Sequence, residues 1–147
     1  MKKTNYSFFR LDGHACSPNV VADIQALYGS CTIASSATLK MCNHEMVFVA
    51  RNVSKKQTPI VGLLTLSAAC DPIGEIAIAH LPLVAENDRS TELLRPLFET
   101  AISFARRKRF IQMKTAFPLT ALDLPHLRVL KELGFSTNSF QVHQLTL

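Results

Sequence analysis

Two side chains in the stretch "GEIAIAHLPLV", Gly74 to Val84, can move protons: Glu75 and His80. An imidazole titrates near neutral pH, which suits it to take a proton from an attacking group. The stretch is apolar and of strand length, and Pro82 marks a bulge or an end because proline cannot donate to a ladder. An odd separation puts Glu75 and His80 on opposite faces of a regular strand, so only one faces a given cleft unless a bulge intervenes. His80 is the preferred candidate base. The competing reading is a hydrogen-bonded structural histidine.

A second set of polar groups follows at once. Between Glu86 and Thr91 a turn-forming stretch leads from the strand into a long helix opened by Ser90. Arg89, Ser90 and Thr91 bring a positive charge, hydroxyls and backbone N–H groups to a helix start, where anions bind. The stretch holds no glycine, the residue that lets backbone approach a phosphate closely. Glu92 adds a carboxylate to the same turn and Leu94 adds bulk. A glutamate there is also plain helix chemistry, stabilising by about 0.3–1 kcal/mol through the dipole.

Other reactive residues lack partners at a diagnostic spacing. Cys16, Cys31, Cys42 and Cys70 are scattered without a CxxC pair, so reduced thiols in a cytoplasmic protein are expected rather than a disulfide framework. Cys42 and His44 are close, but two ligands in a loop do not make a zinc site, and no metal is expected. His126 falls in the first turn of the last helix and His143 on the terminal strand. Cys70 is expected to be a small buried residue.

The elements that must position these groups are legible from periodicity. "YSFFRL" (Tyr6 to Leu11) is a strand, and a helix with Pro18 at its first position runs to a stop at Gly29, with Val20, Val21, Ile24 and Leu27 as its apolar stripe. A short helix is possible near Ala34 to Lys40. Met46 to Arg51 and Thr58 to Ala69 form an antiparallel hairpin, and Gly74 to Val84 completes a three-strand meander. Leu94, Leu97, Phe98, Ala101, Ile102 and Ala105 form one face of the helix after Ser90, while Pro96 in its second turn moves its start later. Phe110 to Thr115 is a strand, a helix ends at Gly134 in a left-handed cap, and "FQVHQLTL" is a final strand.

A chain of 147 residues with 48% hydrophobic and 18% charged content is one globular domain, residues 1–147. A charge of +5 and a pI near 9.2 permit an anionic partner, but the densest basic run, Arg106 to Arg109, closes a helix, where cations offset the dipole. No nucleic-acid motif is present, and no apolar run reaches the ~18 residues of a bilayer span.

The last two-thirds of the chain resembles the GNAT superfamily of N-acyltransferases. The resemblance rests on the hairpin feeding a long strand (Pro59 to Val84), the arginine-led turn into a helix (Arg89 to Lys108), and "LKELGF" (Leu130 to Phe135), similar to the family's "YxKLGF" ending. It implies a mixed α/β fold: a central, mostly antiparallel sheet flanked by helices, with its fourth and fifth strands splayed. It implies acyl transfer from acetyl-CoA or another acyl-CoA to a small-molecule or peptide amine by direct attack. The fourth-strand backbone at Pro82, Leu83 and Val84 would fix the thioester. The pyrophosphate motif, Q/R-x-x-G-x-G/A, aligns with Arg89, Ser90, Thr91, Glu92 and Leu94, with Glu92 and Leu94 at the glycine positions. The tyrosine that usually protonates the leaving thiolate aligns with Leu130. These departures leave two other readings. The donor could be an acyl carrier protein, met by Arg89, Arg95, Arg106, Arg107 and Arg109, or the domain could be an inactive binding module. A homodimer is compatible with open sheet edges.

Overall fold

The computed structural model describes residues 3–11, 18–30, 46–115, 124–137 and 143–147. In chain order these form β1 (Tyr6–Arg10), α1 (Pro18–Ser30), β2 (Val47–Asn52), β3 (Ile60–Asp71), β4 (Gly74–Ala79) and β5 (Leu83–Val84). A 3-10 turn (Glu86–Asp88) leads to α2 (Thr91–Arg107), then β6 (Gln112–Thr115), α3 (Leu124–Glu132), β7 (Ser136–Thr137) and β8 (His143–Thr146).

Alternation along the strands builds two cores. Phe48 and Ala50 of β2, with Leu64 and Leu66 of β3, pack under α2 and α3. Val47 and Val49 of β2 and Leu63 of β3 face the other way, against Ile24 and Leu27 of α1. The strands make one eight-stranded sheet in the order β1-β2-β3-β4-β6-β8-β7, with β5 paired to β3. Every neighbouring pair is antiparallel except β4 and β6. A parallel pair needs a crossover, and α2 supplies it. The mixed α/β expectation and the three-strand meander both hold.

α2 opens at Ser90 as expected, and the later start suggested by Pro96 does not hold. It begins at Thr91, with Pro96 inside it. Leu93 and Leu94 are fully buried, and that packing holds the first turn despite the donor lost at Pro96. The helix approaches β3 closely at Gly62, where an added Cβ would lie 3.0 Å from the Leu93 side chain.

Both α2 and α3 end in the same capping motif. After α3, Gly134 has φ +89, the Phe135 N–H donates to the Leu130 carbonyl and the Gly134 N–H to that of Lys131. After α2, Arg109 takes the glycine's place at φ +62, with Phe110 N–H on the Ala105 carbonyl and Arg109 N–H on that of Arg106. β7 is an addition to the expected elements, a two-residue strand against β8. The helix expected near Ala34 to Lys40 lies outside the described residues, as do Cys16, Cys31, Cys42 and His44. Among the described residues no helix is long and apolar enough to cross a membrane.

Candidate functional site

The strand that carries His80 changes register beside it. Ala79 pairs with Leu66 of β3, but Leu83 pairs with Leu63, so four steps on one strand oppose three on the other. The extra residue is a β-bulge across His80–Pro82. His80 N–H donates to the Thr65 carbonyl at 3.0 Å and Ala85 N–H to that of Val61 at 2.8 Å, so β3 is held on both sides of the bulge. Pro82 has no N–H to lose. The Leu81 N–H has no hydrogen-bond partner among the described residues.

The described part of β6 ends level with the bulge. The parallel ladder between β4 and β6 runs from Ile76 and Gln112 to Ala79 and Thr115. Beyond it β5 pairs with β3 alone among the described residues. Side chains on either side of this point divide by face. Ala77, Ala79 and Met113 enter the core beneath α2. Ser67, Ile78 and Lys114 form one row across β3, β4 and β6 on the opposite face, with Thr65 and His80 beside it.

On that face Ser67 Oγ and His80 Nε2 are 2.5 Å apart, and both residues are half-buried. Ser67 was not singled out from sequence. Its signal lay in the Asp71–Gly74 hairpin end, which fixes 65 opposite 80 and 67 opposite 78 once the turn is placed. Glu75 is exposed on the other face, roughly 16 Å along the strand from His80 at 3.3 Å per residue. The structure does not bring the two together. Cys70, expected to be buried, is exposed. It pairs with Glu75, one step from the Asp71–Gly74 end of the hairpin.

The start of α2 is open. Ser90 is the N-cap residue in extended conformation and makes no side-chain cap bond. Leu93 and Leu94 N–H groups both donate to the Ser90 carbonyl, at 3.3 and 3.0 Å. Those of Thr91 and Glu92 have no partner among the described residues, the usual condition of a first helical turn. Arg89 and Glu92 are exposed, Ser90 and Thr91 half-buried. Leu94 is turned into the core, and Pro82, Leu83 and Val84 are buried.

A buried network pins the turn before α2. Asp88, 6% exposed, accepts from Tyr6 Oη at 3.0 Å and from Asn52 Nδ2 at 3.3 Å on the same oxygen. Burial first, then the Asp88 hydrogen bond and the charges of Asp88 and Glu92, push the Tyr6 phenol up to about 12. Sequence reasoning missed this network because its members lie 36 and 82 positions apart with no shared motif. Behind the turn is a cleft of about 390 Å³ between α1, the start of β3 and Ala85–Asp88.

The remaining candidates stand elsewhere. Leu130 is 1% exposed in the core and His126 is 5% exposed on α3. Arg95 pairs with Glu99 and with Glu132, at 3.0 and 3.1 Å. Arg106 and Arg107 close the far end of α2. Among the described residues no three His, Cys, Asp or Glu side chains gather into a metal site.

The architecture is shared with solved acetyltransferases. A chain of the NatC complex bound to Gag peptide and CoA superposes with a TM-score of 0.73 and 14% identity, covering 97% of this chain and 98% of that one. A GNAT-family acetyltransferase from Streptococcus pneumoniae gives 0.71 and 10%, covering 97% and 99%. YncA of Salmonella typhimurium, with its cofactor acetyl-CoA, gives 0.65 and 15%, covering 97% and 94%. No protein-family model matches the sequence, nor does any curated protein. The chain therefore has the GNAT fold, as the resemblance of its motifs led one to expect.

Proposed function

We propose that the protein is an N-acyltransferase that moves an acetyl or other acyl group from acyl-CoA to an amine by direct attack. The observation that carries this reading is the bulge after His80, which leaves the Leu81 N–H without a partner among the described residues, in a fold whose solved examples include complexes with CoA and acetyl-CoA.

In this reading the pantetheine arm lies along Pro82 to Val84. The Leu81 N–H, held at the bulge, meets the thioester oxygen and stabilises the negative charge that develops on it. The pyrophosphate lies at the start of α2, on the Thr91 and Glu92 N–H groups with Arg89 and Ser90 beside it. The amine nitrogen attacks the carbonyl carbon, His80 takes its proton, the carbon–sulfur bond breaks, and the proton passes from His80 to the departing sulfur. No tyrosine is needed for that last transfer, which fits a leucine at position 130. Glu75, exposed and on the other face, has no part in it.

The carrier-protein alternative fares less well. Arg95 is engaged by two glutamates, and the α2 axis spans roughly 25 Å at 1.5 Å per residue between its two ends. The five arginines thus do not form one docking patch. The inert-module alternative is decided by binding. Acetyl-CoA should raise the thermal midpoint, with about 2.7 kcal/mol of added stability at a concentration 100 times Kd. Arg89→Ala should weaken binding by about tenfold, as expected for loss of one charge-assisted phosphate contact. An unchanged midpoint with acetyl-CoA would overturn the enzyme reading.

A further inference from the structure

We infer that Ser67 is a positioning residue for His80, holding its ring in the tautomer whose Nδ1 lone pair is available to the attacking amine. The inference deepens the reading above and rests on it for its catalytic meaning, but its structural content stands alone.

Ser67 and His80 lie on the sheet face away from α2, on adjacent antiparallel strands whose register is locked by the hairpin end at Asp71 and Gly74. Their side chains meet on a diagonal, Ser67 Oγ against Nε2 at 2.5 Å. Nδ1 of His80 makes no hydrogen bond among the described residues. In a neutral imidazole one nitrogen donates and the other accepts, and the bond made by one sets the role of the other. With Ser67 Oγ accepting from Nε2–H, the lone pair is left on Nδ1. When Nδ1 then takes the amine proton, the Nε2–H···Oγ bond persists and becomes charge-assisted. A base oriented this way needs no second carboxylate: Glu75 is on the other face, and on the same face β6 brings the cation Lys114 into the row of Ser67 and Ile78.

The position of the pair supports the assignment. His80 is the first residue of the bulge, immediately before the Leu81 N–H, which has no partner among the described residues. A bulge re-aims side chains, and a second anchor such as Ser67 fixes a ring that the irregular backbone alone would leave free to rotate.

The test is long-range 1H–15N NMR of the whole protein with 15N-histidine, at a pH where His80 is neutral. Wild type should show the Nε2–H tautomer, Ser67→Ala a mixture of the two, and Ser67→Thr, which keeps the hydroxyl, the wild-type pattern. With acetyl-CoA and a short peptide bearing a free α-amino group, Ser67→Ala should lower kcat about tenfold with KM for acetyl-CoA unchanged, and Ser67→Thr should restore it. An Nδ1–H tautomer in wild type, or the same tautomer in Ser67→Ala, would overturn the inference whatever the activity. If wild type fails to bind acetyl-CoA, the proposed function falls while the tautomer measurement still decides the role of Ser67.

Discussion

Asp88 carries a buried carboxylate on one oxygen of which two donors converge, Tyr6 from β1 and Asn52 from β2. Removing the acceptor leaves both donors unsatisfied, so Asp88→Ala should cost about 1–3 kcal/mol in urea unfolding. Tyr6 makes a separate prediction through pH. Its folded pKa, about 12, lies above the ordinary 10.0. Below the ordinary value both states keep the proton and its contribution is constant. As pH rises toward 12 the unfolded chain ionises first, so stability falls through that window. Tyr6→Phe should remove that part of the decline and run flatter than wild type. His80 belongs to the same scale: His80→Gln should lower kcat about 10²-fold with little change in acetyl-CoA binding, as loss of a general base does. His80 could be singled out from one sequence because an imidazole in an apolar strand stands out. Ser67, Asn52 and Asp88 could not, because ordinary polar residues become a site only through register and chain reversal.

Elements were the most legible level, for a physical reason. β2 and β3 separate two apolar layers by strict alternation, and α2 shows a full apolar face, so periodicity alone locates them. Ser90 marked the start of α2 correctly; Pro96 argued for a later beginning, and burial of Leu93 and Leu94 decides against it. The bulge was half legible: Pro82 marked it, but its extra residue is visible only in the pairing with β3. Two predictions belong to these elements. Arg109 occupies a left-handed cap at φ +62, a conformation that costs a side-chain-bearing residue about 1–2 kcal/mol. Arg109→Gly should therefore raise stability by about 1 kcal/mol, a gain of roughly 2–4 °C in the thermal midpoint. Gly62→Ala places a methyl 3.0 Å from Leu93 and 3.3 Å from Ala50. It should destabilise by about 1–3 kcal/mol and, by lifting the first turn of α2, weaken acetyl-CoA binding beyond the stability loss.

The whole molecule joins these parts into one arrangement. α1 packs on one face of the sheet while α2 and α3 pack on the other, and the crossover through α2 sets β6 beside β4 through Ala79 and Thr115, the last described residue of β6. β5 and the Glu86–Asp88 turn join the bulge to the open start of α2. In the proposed binding mode a thioester tail meets both, whereas a ligand confined to the cleft behind Ala85–Asp88 would not reach Leu81. Amide-resolved NMR during an acetyl-CoA titration distinguishes these cases most directly. The Leu81, Thr91 and Glu92 N–H resonances should shift together and saturate at one Kd. Saturation with those three unmoved, or with shifts confined to Asp23, Ile60 and Asn87 around the cleft, would contradict the account.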